Sequence, residues 1–171
     1  FRFEYETIAD AMAEILEPLR GSTFEKLAEQ WVPKPVEEIW PYFCDEKNLE
    51  ELTPDFLKFK VRAKSTDEIR EGTLIDYTVS LNGIPFSWRT RIEEWQPNKK
   101  FVDTQLSGPY ALWHHTHEFI PLAGGTLLRD RIRYRIPLGW AGAIASGWKV
   151  HSDVDMIFKF RRKKIAERFG Y

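Results

Sequence analysis

From Phe56 to Pro137 the chain is a succession of six short runs, each alternating in polarity or rich in β-branched and aromatic residues. They are KFKVRAK (58–64), TLIDYTVSL (73–81), IPFSWRTRIEEW (84–95), KFVDTQL (100–106), ALWHHTHEFI (111–120) and TLLRDRIRYRI (126–136). The pieces between them are turn chemistry: Glu71-Gly72, Asn82-Gly83, Pro97-Asn98, Gly108-Pro109 and Gly124-Gly125. Asn-Gly between two alternating runs is the strongest short hairpin signal, because both residues accept the positive φ of a tight turn. The consecutive runs therefore predict an antiparallel meander.

The flanking segments complete the pattern. Thr23 to Val32 is β-compatible and ends at Pro33 and Pro35. VEEIWPYF (36–43) has helical spacing, shortened or kinked by Pro41, and a second short helix is expected around 49–52 before Thr53-Pro54. After the last strand comes the glycine-rich PLGWAGAIASG (137–147). One long helix, about 148–168, then carries Val150, Val154, Ile157, Phe158, Ile165 and Phe169 near one stripe. At the start, Ile8, Met12, Ile15, Leu16 and Leu19 mark an amphipathic helix over 6–19, stopped by Gly21. The order is a strand, two short helices, six strands and a long helix. It predicts an α+β fold in which a curved sheet of about seven strands wraps a C-terminal helix.

Alternation sorts the faces. Arg129, Arg131, Arg133 and Arg135 cannot face a dry core, so Leu128, Asp130, Ile132, Tyr134 and Ile136 point inward. By the same test Ile75, Tyr77 and Val79 point inward, as do Phe86, Trp88, Thr90 and Ile92. Phe101, Asp103 and Gln105 are the inward choice on their strand, with Trp113, His115 and His117 on the next. Aromatic residues reach 15% of the chain, so the lining is either bulky core filling or the wall of a pocket. Outside, the arginine ladder with Arg89 and Arg91 reads as a charge-paired exterior with Glu25, Glu29, Glu93 and Glu118 in reach. The run Arg161-Arg162-Lys163-Lys164 reads as cations complementing a helix C-terminus.

The inward polar cluster of Asp103, Gln105, His115, His117 and Asp130 admits three readings. It can be a hydrogen-bonded network that fixes register, with His117 near Asp130 across the Gly124-Gly125 hairpin. It can orient a guest in an apolar cavity. It can also do chemistry, with His115 or His117 as general base oriented by Asp103 or Asp130. A His-His-carboxylate metal site is open to residues i and i+2 of a strand. Only His151 remains to complete it, so neither a metal nor another cofactor is expected.

Composition narrows the partners. With 25 basic and 26 acidic residues the net charge is −1, and no global field draws the chain to nucleic acid or to an anionic membrane. Cys44 is the single cysteine, which excludes an internal disulfide framework. It reads as a small buried or half-buried residue. No apolar run approaches the ~20 residues of a membrane span. The opening FRFEYETIADAMAEILEPLRG is too acidic for a secretory or transit signal. These features predict a cytoplasmic protein with no nucleic-acid partner and no integral membrane contact.

The wording of VPKPVEEIWPYFCDEKNLEELTP (32–54), GTLIDYTVSLNGIPFSWRTRIEEWQP (72–97), FVDTQLSGPYALWHHTHEF (101–119) and GGTLLRDRIRYRIPLG (124–139) resembles the START-like helix-grip superfamily (SRPBCC). That superfamily includes polyketide cyclases and coenzyme Q-binding proteins, and the likeness is strongest to its small bacterial ligand-binding members. It covers residues 23–171 and implies one ligand-binding domain there, preceded by a helix and linker over 1–22. It also implies a hydrophobic or aromatic small molecule held between sheet and C-terminal helix. Tyr77, Trp88, Thr90, Trp113 and Tyr134 would line that site, with Asp103, Gln105, His115 and His117 as polar anchors. Tyr110, Trp140 and Trp148 would stand at its mouth, under a lid formed by 137–147. The rival readings are a cyclase, aromatase or dehydratase acting through the His–Asp cluster, and a pocketless interaction module.

A 14-residue amphipathic helix is marginal alone in water. The helix over 6–19 is therefore expected to pack outside the domain or across a homodimer interface. Deleting residues 1–21 should leave a folded domain that still binds its guest, with a changed oligomeric state, as circular dichroism and light scattering would report. An unfolded truncation would place the helix in the core.

Overall fold

Seven strands form one curved antiparallel sheet: β1 (Thr23–Val32), β2 (Lys60–Lys64), β3 (Leu74–Leu81), β4 (Ile84–Gln96), β5 (Lys100–Ser107), β6 (Leu112–Leu122) and β7 (Gly125–Arg135). Their order is β1-β7-β6-β5-β4-β3-β2, a meander closed by β1 returning beside β7. The structure is a computed structural model that describes residues 23–81, 83–137 and 147–170, with side chains from 150 onward in the last segment. The helix expected over 6–19, Asn82, and Trp140 with most of the expected lid lie outside the described residues.

Two short helices, α1 (Val36–Phe43) and α2 (Asn48–Glu51), follow β1, and α3 (Gly147–Phe169) closes the chain. One stretch departs from expectation. Asp55–Leu57 is a 3-10 turn, and Lys58 after it takes a left-handed φ of 44°. The strand expected from residue 58 therefore starts at Lys60.

The turns behave as their residues require. Leu81 pairs with Ile84, leaving a two-residue loop in which Gly83 has φ 82°. Asn98 carries φ 59° in the β4–β5 hairpin. Register irregularities at Arg89/Thr90 and at Ile92/Glu94 bend β4, the longest strand, in the manner of β-bulges.

The concave face is covered in parts. At one end Trp40 and Ile39 of α1 pack with Val32, Phe101, Phe119, Leu128 and Ile165, the rings of Trp40 and Phe119 lying 5.0 Å apart. Farther along, Val154 and Phe158 of α3 pack on Ile132 and Tyr134. A third cluster gathers Leu57, Val79 and Trp88. Among the described side chains of α3 the buried ones are Val154, Phe158, Arg161 and Ile165, one stripe at helical spacing. Among the described residues no helix is long and apolar enough to cross a membrane.

On the convex face Arg129, Arg131, Arg89 and Arg91 meet acidic partners, whereas the Arg135 Nε is buried without a hydrogen bond. Arg129 meets Glu29 at 2.6 Å and Glu118 at 3.7 Å, Arg131 meets Glu25 at 4.0 Å, and Arg91 meets Glu93 at 2.8 Å. Arg89 holds Asp76 through two hydrogen bonds, a partner alternation did not single out. Such exposed pairs contribute about 0.2–1 kcal/mol each and serve register more than stability.

The β6–β7 hairpin is pinned where β1 hands over to α1. A Cβ added at Gly125 would stand 2.1 Å from the backbone oxygen of Val32. Gly125→Ala should therefore lower stability by about 1–3 kcal/mol, as overpacking does, measured as a fall in the urea midpoint at unchanged m.

Candidate functional site

Between the three packed clusters lies a cavity of about 170 Å³, walled by β3 to β6, the α1–α2 region and α3. Its aromatic wall is continuous. The Trp88 ring stacks on Tyr77 at 5.5 Å and meets Trp113 edge-on at 5.3 Å, and Tyr110 lies 4.8 Å from Trp113. Thr90 joins two of these residues: its hydroxyl accepts the Trp88 indole N–H at 3.1 Å and lies 2.9 Å from the Tyr77 hydroxyl. Burial, and then the negative charge of Asp103, hold the Tyr77 phenol well above its ordinary pKa.

The polar part of the wall comes from three adjacent strands. Asp103 pairs with His115 across β5–β6, and His117 with Asp130 across β6–β7. His115 and His117 are two residues apart on one strand, so both point inward, with ring centroids 3.7 Å apart. His117 Nε2 lies 2.9 Å from Asp103 Oδ2 and its Nδ1 lies 2.8 Å from Asp130 Oδ1. A neutral imidazole has only one N–H to donate, so a ring held between two carboxylates is an imidazolium. Burial opposes that charge, but the hydrogen bonds to Asp103 and Asp130 outweigh it and raise the His117 pKa. The Phe101 ring lies flat on His117 at 4.0 Å and fixes its plane.

His115 is in the opposite state. Its Nε2 donates to Asp130 Oδ1 at 3.0 Å, while Nδ1 stands 3.9 Å from Asp103 Oδ2, beyond hydrogen-bond reach. Burial, and then repulsion from His117, push its pKa down to about 4, so the ring is neutral with an Nδ1 lone pair available. Burial alone would protonate both carboxylates. Asp103 is instead held below its usual range by the His117 hydrogen bond, and Asp130 well below by Arg161 and then the two histidines. Two carboxylates, one imidazolium and Arg161 sum to zero charge, the state a buried cluster tolerates best.

Of the residues expected at the site, Tyr77, Trp88, Thr90, Asp103, Tyr110, Trp113, His115 and His117 line the cavity. Three expectations need correction. The Gln105 amide is used inside the fold, donating to the Tyr110 carbonyl at 2.6 Å and accepting its N–H at 3.3 Å, so it pins the β5–β6 loop. Tyr134 points inward but is packed beside Phe24, with its hydroxyl bonded to His151 Nδ1. Asp130 supports both histidines from behind and faces a second cleft of about 310 Å³, between β1 and α3, with Lys26, Gln30 and Asp155. Trp140 and the Trp148 side chain lie outside the described residues.

Arg161 is the residue that sequence reasoning missed. It is 8% exposed, lines both the cavity and the second cleft, and sits 3.8 Å from Asp130 with its Nε unpartnered. The helix-dipole reading of the basic run does not describe it. The signal was its spacing, in step with Val154, Phe158 and Ile165. Cys44 is half-buried, and burial pushes its thiol up to about 12, which makes it inert.

Solved structures of the same architecture are numerous. A protein from Chromobacterium violaceum is 18% identical with a TM-score of 0.66, over 86% of this chain and 99% of that one. A START superfamily protein from Mycobacterium smegmatis is 16% identical with a TM-score of 0.63, over 87% and 97%. The Zhui aromatase/cyclase from Streptomyces sp. R1128 is 13% identical with a TM-score of 0.64, over 86% and 93%. At such identities the likeness is one of fold. No curated protein matches the sequence significantly. A family model described as polyketide cyclase / dehydrase and lipid transport matches residues 32–157, from the end of β1 into α3. With its START-like helix-grip fold, the chain belongs to that polyketide cyclase / dehydrase and lipid transport family.

Proposed function

We propose that the protein binds a small apolar or aromatic molecule in the cavity between sheet and α3. The observation that carries this reading is the cavity itself, walled by Tyr77, Trp88, Tyr110 and Trp113 and polar at Thr90, Asp103, His115 and His117. Its volume sets the guest's size. A dry cavity of about 150 Å³ takes benzene, whereas drug-sized ligands use about 300–1,000 Å³. At about 170 Å³ the site suits one or two fused rings, and a longer guest requires α3 or the α1–α2 region to move outward. The cavity is smaller than the about 300 Å³ at which ligand pockets ordinarily begin, and this is the one observation that favours a pocketless interaction module. A cytoplasmic location, a single domain over 23–171, and a homodimer through the N-terminal helix belong to the same proposal.

A second reading, a cyclase- or dehydratase-type lyase without cofactor, has one observation in its favour. The two histidines on one wall differ in protonation, His117 holding a proton on each nitrogen and His115 offering a lone pair at Nδ1. The low basicity of His115 argues for hydrogen-bond acceptance over proton abstraction.

Calorimetric titration with 2-naphthol should give saturable binding at one site. Val79→Phe, which fills the cavity from β3, should weaken it at least tenfold. Absence of saturable binding by one- and two-ring probes at millimolar concentration would sink the proposal. The network makes a separate prediction. His117→Ala leaves two buried carboxylates without their shared cation and should cost about 3–5 kcal/mol in chemical denaturation. Loss of guest affinity at unchanged stability would instead assign His117 to recognition alone.

A further inference from the structure

Both histidines turn one ring nitrogen toward the same carboxylate oxygen. His115 Nε2 and His117 Nδ1 lie 3.0 and 2.8 Å from Asp130 Oδ1. This fixes the orientation of both rings and turns His115 Nδ1 and His117 Nε2 toward Asp103, whose Oδ2 lies 3.9 and 2.9 Å away. One ligand atom from each of Asp103, His115 and His117 lies within 4.8 Å of the other two. Bonds of about 2.0–2.2 Å to a common ion would place ligand atoms some 3–4 Å apart, so small side-chain rotations suffice.

We propose that Asp103, His115 and His117 are the ligands of a mononuclear divalent transition-metal site, of the zinc or ferrous class, opening on the cavity. Metal-bound imidazoles almost always give their second N–H to a carboxylate or carbonyl, which fixes the ring and raises its basicity. Asp130 does this for both rings at once and is itself held by Arg161 at 3.8 Å. The proton between His117 Nε2 and Asp103 occupies the position the ion would take, and binding releases it to solvent.

The ligand types suit this class, since two imidazoles and one carboxylate with open positions are the donor set of catalytic zinc and non-haem iron centres. Replacing that single proton by a dication changes the cluster from neutral to +1. The open positions would then favour an anionic or strongly polar oxygen on whatever enters between Trp88 and Trp113. A third histidine is not needed to complete the set. The third ligand is a carboxylate on the neighbouring strand, and His151 is engaged with Tyr134.

The full chain, stripped with chelator and dialysed, is titrated with cobalt(II) alone, so the outcome does not depend on the guest-binding proposal. One equivalent should develop visible d–d absorption, and excess zinc(II) should abolish it. Zinc at about one hundred times its Kd should raise the melting temperature by roughly 5–10 °C. Asp103→Asn and His115→Gln should each weaken cobalt affinity at least a hundredfold. Asp130→Asn, a positioning change, should weaken it about 10–100-fold while keeping the d–d spectrum. If the wild-type chain develops no cobalt spectrum, the site is a hydrogen-bond network and the proposal fails. It fails equally if the spectrum persists unchanged in the Asp103 and His115 variants, which would place the ion on the surface. Should either variant not fold, the wild-type titration and Asp130→Asn still decide.

Discussion

Two largely buried carboxylates flank β6 beneath α3, Asp103 on β5 and Asp130 on β7, and everything around them is arranged so that they can stay ionised. An isolated buried carboxylate would take up a proton. Here Asp103 and Asp130 share the His117 imidazolium, and Asp130 also holds His115 and faces Arg161. The cluster therefore ties β5, β6 and β7 to one another and to α3. A one-residue slip of β6 would turn both histidines to the convex face and leave the carboxylates without a counter-charge. Register here is fixed electrostatically as well as by apolar packing.

The same constraint explains why space is left beside the cluster. A sheet that curves around one helix can be filled completely only if the helix presents bulk all along its inner stripe. Val154, Phe158 and Ile165 do so at their ends of the sheet. Arg161 interrupts that stripe, because Asp130 requires a cation there. Opposite the gap, the irregularities in β4 carry Trp88 and Thr90 on a bent strand, and aromatic rings line the remaining volume without filling it. Charge at the floor and emptiness above it are two sides of one arrangement.

Much of this was legible from residue order. The arginine ladder of β7 determined which side faced in, and the Gly124-Gly125 hairpin then put His117 opposite Asp130. What alternation cannot report is distance along the strand from the elements that cover it. Tyr134 and Trp113 pair across β6–β7, yet Phe24 and α3 close over Tyr134 while Trp113 remains on the cavity. Gln105 lies beyond the last β5–β6 pair, Thr104 with His114, so its side chain turns to the loop. Arg161 was hidden by its neighbours: within a basic run a buried arginine looks like a solvated one, unless its helical phase is compared with the apolar stripe.

The return of β1 to the edge of β7 has a kinetic meaning. Thr23 pairs with Arg135, and Val32 with Thr126, so contacts of the first described strand span most of the meander. Loops of that length make a sheet slow to close, and β-rich topologies of this kind fold in milliseconds to seconds. During synthesis β2 to β6 can associate locally as each hairpin leaves the ribosome. β1 must wait for the last strand, carrying the exposed Leu27 and Trp31 without a partner. The glutamates that alternate with them, Glu25 and Glu29, keep that waiting strand soluble before they become the partners of Arg131 and Arg129.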